Sequence, residues 1–261
     1  MAVPLMPVRK VLRGVAFDCC TEAEAVEAIV RAIDEGQGGW VVTPNIDIMH
    51  ALDRDPSLRD LVAGADLVVA DGMPLIWASR LAGDPLPERV TGASLIWSLT
   101  AAAGLCHRSV YVLGGAEGVP ERACKVLSGP EVGGLVVGGY SPPMGFDRLP
   151  GGDEEIRRRL TEAAPDIVFC GFGFPKQERL IVTLRDAFPH TWFIGCGAAV
   201  DFAAGDVRRA PRWMQDRGLE WCYRLAAEPR RLAHRYLVDD AWFALRLLGT
   251  VAVGRVVRSP D

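Results

Sequence analysis

Residues 166–178 read Asp166-Ile-Val-Phe-Cys-Gly171-Phe-Gly173-Phe-Pro175-Lys176-Gln177-Glu178. A short apolar run closed by two glycines is the pattern of a fully buried strand. The glycines let the chain turn and let a ligand approach the backbone, and Pro175 suits the first turn of a helix. A purely structural turn has no need of Lys176, Gln177 and Glu178 together at the mouth of a crevice. Strands that pass straight into helices in this way build parallel α/β sheets.

The same pattern extends outward in both directions. Candidate strands are Gly39–Thr43, Asp66–Ala70, Ser109–Leu113, Gly134–Val137, Asp166–Gly171 and Trp192–Gly195. Helical stretches fill 21–35, 47–62, 73–82, 91–104, 117–128, 153–164 and 176–187, and Thr21 with Glu24 forms a capping box at the start of the first. The expected fold class is α/β, a parallel sheet with helices on both faces. Such sheets bind ligands beyond the carboxyl ends of their strands.

The alternation stops near Asp206. Residues 1–206 hold 18 Lys and Arg against 27 Asp and Glu, whereas residues 207–261 hold 11 Arg against 6 acids. A body of net −9 thus carries a tail of net +5, which also contains Trp213, Trp221, Tyr223, Tyr236, Trp242 and Phe243. The expected division is a catalytic core over 1–206 and a mostly helical appendage over 207–261, with Pro211 and Pro229 as breaks. An Arg- and aromatic-rich tail on an acidic body points to an anionic surface or ligand. Trp242, Phe243, Leu247 and Leu248, with Arg246 among them, are the residues expected in a lipid headgroup region.

Composition narrows the class further. A net charge of −4, 49% hydrophobic residues, and 28 Gly with 18 Pro in no collagen-like period exclude a disordered chain, collagen, a coiled coil and a bulk polyanion binder. The seven cysteines show no C-x-x-C spacing and several lie in apolar runs, which fits core thiols and a reducing cytoplasm better than disulfides or zinc. The first ten residues do not read as a signal peptide. The most apolar tail segment, 241–257, is interrupted by Arg246 and Arg255 and falls short of the ~20 residues a membrane span needs.

Several residues stand where the strands should end. Thr43-Pro44-Asn45 offers a hydroxyl and an amide to a nucleotide, although Asn45 suits a helix N-cap equally well. Asp71-Gly72 follows an apolar strand, where a carboxylate can act as general base or as a cap. Glu88-Arg89-Val-Thr-Gly92 adds a guanidinium beside a helix start, a natural partner for a diphosphate or for a surface carboxylate. Gly114-Gly115 is a weak phosphate-turn signal. Asp53-Arg-Asp55 has a metal–nucleotide spacing but sits at a helix end, where solvated carboxylates are the simpler reading. Gly195-Cys-Gly197 repeats the strand-then-glycine pattern, and Asp201 beyond it orients a ligand or pairs with Arg208 or Arg209.

In order and spacing, these segments resemble the WecG/TagA/CpsF family of bacterial glycosyltransferases. The carrying residues are Thr43-Pro-Asn45, Ala65-Asp-Leu-Val-Val-Ala-Asp71-Gly72, Glu88-Arg89-Val-Thr-Gly92 and Gly171-x-Gly173-x-Pro175-Lys176-Gln177-Glu178. Gly195-x-Gly197…Asp201-Phe and Arg209-Ala-Pro-Arg-Trp213…Gly218-Leu-Glu-Trp221…Arg224-Leu…Glu228-Pro-Arg230-Arg…Arg235-Tyr236 complete the series, which runs from about residue 40 to 236.

The resemblance implies a Rossmann-like core that moves a sugar, with inversion, from a UDP-sugar to a polyprenyl-diphosphate-linked saccharide in cell-envelope polysaccharide synthesis. N-acetylmannosamine and related hexoses or uronic acids are the donors it suggests. It implies no cofactor and no essential metal. It also implies an appendage that closes the site at the inner face of the cytoplasmic membrane. Asp71 matches the family's catalytic base, and Thr43, Asn45, Arg89 and Gln177 match pocket residues. Arg217, Arg224 and Arg231 fall where the family has diphosphate-binding arginines. Gly72, Gly92, Gly171, Gly173, Lys176, Glu178 and Asp201 complete the expected substrate site, with no metal ligand among them.

Two other classes compete. A nicotinamide-dependent oxidoreductase would carry G-x-G-x-x-G after the first strand, where this chain has Thr-Pro-Asn. A binder of nucleic acid or another anionic surface would leave Asp71 and Gln177 without a purpose. Nucleic acid is therefore not an expected partner.

Overall fold

The computed structural model describes residues 8–216, 219–227, 229–234 and 242–249. Its centre is a sheet of six parallel strands: Gly39–Val42 (β3), Leu67–Val68 (β4), Ser109–Gly114 (β5), Leu135–Tyr140 (β6), Ile167–Gly171 (β7) and Trp192–Gly195 (β8), in the order β4-β3-β8-β7-β5-β6. Each lies on or within about two residues of its expected run, except that β6 reaches three residues further. Register aligns the carboxyl ends, with Val42 beside Val68, Cys170 beside Gly195 and Gly114 beside Gly171.

Alternate side chains feed two cores, as period-two strands buried on both faces require. Trp40, Val42, Val168, Cys170 and Phe193 face one side. There they meet Ile46–Arg54 (α2), Leu58–Ala63 (α3), Met73–Leu81 (α4), Glu154–Ala163 (α7) and Lys176–Arg185 (α8). Val41, Ile167, Phe169, Trp192 and Ile194 face the other. That side is covered by Glu22–Asp34 (α1), Gly92–Leu105 (α5), Val119–Leu127 (α6) and Ala199–Ala204 (α9). The Rossmann-like α/β class is thus realised.

Local chemistry sets the boundaries. Thr21 and Glu24 form the capping box that starts α1. The helical stretch expected over 47–62 is divided, because the Asp55 carboxylate accepts hydrogen bonds from the backbone and hydroxyl of Ser57 at 3.1 and 2.6 Å on either side of Pro56. Two strands lie outside the expected set. Arg9–Leu12 (β1) and Val15–Asp18 (β2) form an antiparallel hairpin whose turn residues, Arg13 and Gly14, both have positive φ. Buried Asp18 ties this hairpin to the sheet by accepting from the Val68 backbone at 2.7 Å and from Arg9 at 2.8 Å.

The described C-terminal residues are mostly helical, as expected: Arg212–Asp216 (α10), Glu220–Ala227 (α11), Pro229–His234 (α12) and a helix over 242–249. Pro211 precedes the first of these and Pro229 begins the third. One expectation is corrected here. Phe243 and Leu247, expected at lipid headgroups, are 4% and 0% exposed and belong to the core beneath α2. They sit four residues apart on one helical face, where Phe243 stacks on His50 at 5.2 Å. The opposite face leaves Trp242 and Leu245 exposed at 72% and 65%. Among the described residues, no helix is long and apolar enough to cross a membrane.

Candidate active site

The chain leaves β3 toward α2 on one face and β8 toward α9 on the other, which opens a crevice beyond their shared carboxyl edge. Thr43 spans that edge, its buried hydroxyl donating to the Gly195 carbonyl at 3.3 Å. Asn45 caps α2, its side-chain oxygen accepting from the Ile48 N–H at 3.0 Å.

Asp71 is held from two sides. Its own N–H donates to the Pro44 carbonyl at 2.9 Å, which sets it beside the Thr43-Pro-Asn45 turn. The N–H of Val90 donates to the Ala70 carbonyl at 3.0 Å, which brings the Arg89–Gly92 segment alongside. The carboxylate-bearing residue is half-buried and so remains within reach of a ligand. Gly72, at φ 143°, turns the chain into α4 directly afterward. Gly92 starts α5 so close to β8 that a Cβ there would stand 2.8 Å from the Cα of Cys196.

Arg89 reaches the C-terminal segment. It donates to the Glu220 carboxylate at 3.4 Å and to the Gln215 carbonyl at 3.2 Å. Arg209 approaches the same carboxylate at 3.3 Å, and also donates to the Ala93 carbonyl at 3.1 Å and the Thr91 hydroxyl at 3.5 Å. Arg209 and Glu220 are the residues that the expected site omits. Their signal is Gly218-Leu-Glu-Trp221, an acid inside an arginine-rich stretch with too few acids to pair it.

Gly171 ends β7, and Gly173 follows in the turn to α8. Of the three polar residues expected together at the crevice mouth, Gln177 and Glu178 stay in contact at 2.8 Å, and Lys176 parts from them. Lys176 turns away to Asp147, 2.8 Å off, with its ammonium 4.3 Å above the Phe146 ring. Gln177 is buried, and its carbonyl oxygen accepts from the N–H groups of Gly173 and Gly197, both at 3.1 Å. Glu178 is 0% exposed, and burial pushes its carboxyl up to about 7. Asp201 lies in the first turn of α9. Arg224 and Arg231 lie on α11 and α12, while Arg217 falls outside the described residues. Asp53, in the D-x-D spacing, pairs with Arg13 at 2.7 Å, and Asp55 ends α2.

This arrangement defines an α/β enzyme that works beyond the carboxyl edge of its sheet, with a half-buried acid beside an Arg-bearing helix start. The chain belongs to the glycosyl transferase WecG/TagA/CpsF family, whose model matches residues 9–255. It is a glycosyltransferase. It is 30% identical over 199 residues to the N-acetylglucosaminyldiphosphoundecaprenol N-acetyl-beta-D-mannosaminyltransferase of Bacillus spizizenii, covering 76% of this chain and 75% of that one. The protein of the same name from Bacillus subtilis is 30% identical over the same shares. That from Staphylococcus aureus is 30% identical over 223 residues, 84% of this chain and 85% of the relative. Neither the oxidoreductase nor the anionic-surface binder finds support.

Proposed function

We propose that this chain transfers an N-acetylmannosamine-type sugar from a UDP-sugar to a GlcNAc-diphosphoundecaprenol acceptor, inverting the anomeric centre. The observation that carries the reading is Asp71, braced between the Thr43-Pro-Asn45 turn and the Arg89–Gly92 segment. The Asp71 carboxylate takes the proton of the acceptor hydroxyl as that oxygen attacks the anomeric carbon. The bond from that carbon to the UDP oxygen breaks on the opposite side, and UDP departs with the bonding pair. Inversion of an α-linked donor yields a β-linked product, in keeping with the relatives' names. Arg89 and the N–H groups at the starts of α4 and α5 balance charge on the departing diphosphate, with Arg217, Arg224 and Arg231 as further candidates. With these donors in hand, the reaction proceeds without an essential metal.

We also infer work at the inner face of the cytoplasmic membrane. Exposed Trp213, Trp221, Trp242 and Leu245 on an Arg-rich segment support it. The test is UDP release from a panel of UDP-sugars, with a short-chain GlcNAc-diphospholipid as acceptor. UDP-N-acetylmannosamine is the expected donor, with full turnover in EDTA and flotation with anionic liposomes. No UDP release from any donor overturns the transfer reading, and turnover lost in EDTA and restored by a divalent ion overturns the metal-free one. Protein left at the bottom of the gradient overturns the membrane reading.

A further inference from the structure

Glu178 has no part in the chemistry above, yet it places a carboxyl at the head of α8 with no contact to solvent. Its Oε1 accepts from the Gln177 amide nitrogen at 2.8 Å, and its Oε2 has no hydrogen-bond partner among the described residues. Buried carboxyls without a cation beside them are costly and need a reason.

The reason lies one residue back. A primary amide can sit in two orientations that exchange its donor and acceptor ends. Because Glu178 Oε1 takes the N–H end, the Gln177 oxygen faces Gly173 and Gly197, whose N–H groups donate to it at 3.1 Å each. In the reversed orientation an NH2 group would confront two N–H donors, and Glu178 Oε1 would lose the N–H that it accepts. The two glycines belong to different turns, β7–α8 and β8–α9, so one oxygen clips both. The space for the pair comes from Gly195, where a Cβ would stand 2.7 Å from the Gln177 nitrogen and 3.1 Å from Glu178 Oε1. Thr43 fastens the β3 end to the carbonyl of this same glycine.

We propose that Glu178 is a positioning residue, which orients the Gln177 amide and through it clips the Gly173 and Gly197 turns into one rigid floor for the crevice. Its effect on turnover rests on the reading of the crevice as the donor site; the clip itself belongs to the free protein. The Glu178 carboxyl, raised by burial to about 7, serves as a shape-specific acceptor.

The experiment is amide hydrogen exchange by NMR on the full chain, paired with donor kinetics, for wild type, E178Q and E178M. Gln keeps a neutral acceptor oxygen, whereas Met fills the space without an acceptor of comparable strength. Exchange at Gly173 and Gly197 should quicken about tenfold in E178M, with donor KM raised about fivefold and kcat less affected. E178Q should stay within about twofold of wild type in both readouts. Unchanged glycine exchange in E178M overturns the proposal, as does an E178Q that behaves like E178M. If E178M does not fold, Gly195→Ala presses on the same pair. It should free the same two amides, and protection equal to wild type overturns the clip. A wild type inactive with every UDP-sugar, alongside freed amides in E178M, sinks the donor reading and leaves the clip standing.

Discussion

Asp71 and Glu178 are both carboxylates just past the end of a strand, and their surroundings fit them for opposite work. Asp71 follows β4, is half-buried, and stands between a polar turn and an Arg-bearing segment. Glu178 follows β7, is sealed from solvent, and takes its hydrogen bond from the Gln177 amide. A general base must touch the group it deprotonates. A sealed carboxyl cannot, but it can hold a neighbour still. Depth below the carboxyl edge, more than residue type or place after a strand, separates chemistry from architecture in this sheet.

The largest effect should come from Asp71→Asn, which preserves size and removes the base. Turnover should fall about 10³-fold with stability changed by less than about 0.5 kcal/mol, read by UDP release and urea unfolding. Turnover within about tenfold of wild type would strip Asp71 of its role and erase the contrast with Glu178.

Phe243→Ala supplies the reverse case. This side chain lies in the core, far along the chain from either acid, and stacks on His50. Its removal should cost about 3–5 kcal/mol in urea unfolding at pH 7 while the folded protein keeps its kcat. Truncation after Asp206, which removes Phe243 and Leu247 together, should cost more than either single change. A truncated chain as stable as wild type would show that these two contacts contribute nothing.

Glu178 predicts a dependence on pH. The unfolded carboxyl ionises near 4.5, whereas the folded one holds its proton to about 7. Between those values the folded state binds more protons, so stability falls as pH rises. The contribution is complete below pH 4.5, drains across the window at up to about 1.4 kcal/mol per unit, and is gone above 7; the total is about 3 kcal/mol. Asp18, also raised by burial, acts in the same sense, so the informative quantity is the difference between wild type and E178Q. Cys170 and Cys196 lie close enough to feel the charge, but burial raises both thiols and they stay neutral through the window. Wild type and E178Q with parallel profiles from pH 4.5 to 8 would show that Glu178 is not held neutral.

Much of this was legible in the sequence. Short apolar runs followed by turn residues gave away all six sheet strands, because strands buried on both faces, as all but the edge strand β6 are, must be apolar throughout. Asp71, Thr43 and Asn45 stood out because they follow such runs, and Arg89 because it stands beside a helix start. The N-terminal hairpin did not, since its strands are short, half polar and joined by an Arg-Gly turn without a strong signature. Depth was equally hidden. Gln177 and Glu178 in a first helical turn read as residues at the mouth of the crevice, and only the absent side chain of Gly195, on another strand, makes room to bury them. The docking of Phe243 and Leu247 depends on a groove beside α2 that no local pattern encodes.

Glu220 is a third carboxylate, intermediate between the other two, and should give the smallest effect. It is neither sealed nor placed after a strand; it rests between Arg89 and Arg209 at 3.4 and 3.3 Å, with its side chain 13% exposed. If Arg89 takes the departing diphosphate as proposed, Glu220 occupies that cation in the free protein and must yield it when a donor enters. Glu220→Gln removes the competing charge. UDP should then bind about threefold more tightly, with stability lowered by about 1 kcal/mol, because the contacts are long and partly screened. The gain should shrink at higher salt, as an electrostatic competition requires. Weaker UDP binding in E220Q would mean that Glu220 serves chiefly to seat α10 and α11 against the crevice. It would then join Glu178 among the carboxylates that hold the site in shape, and Asp71 alone would face the substrate.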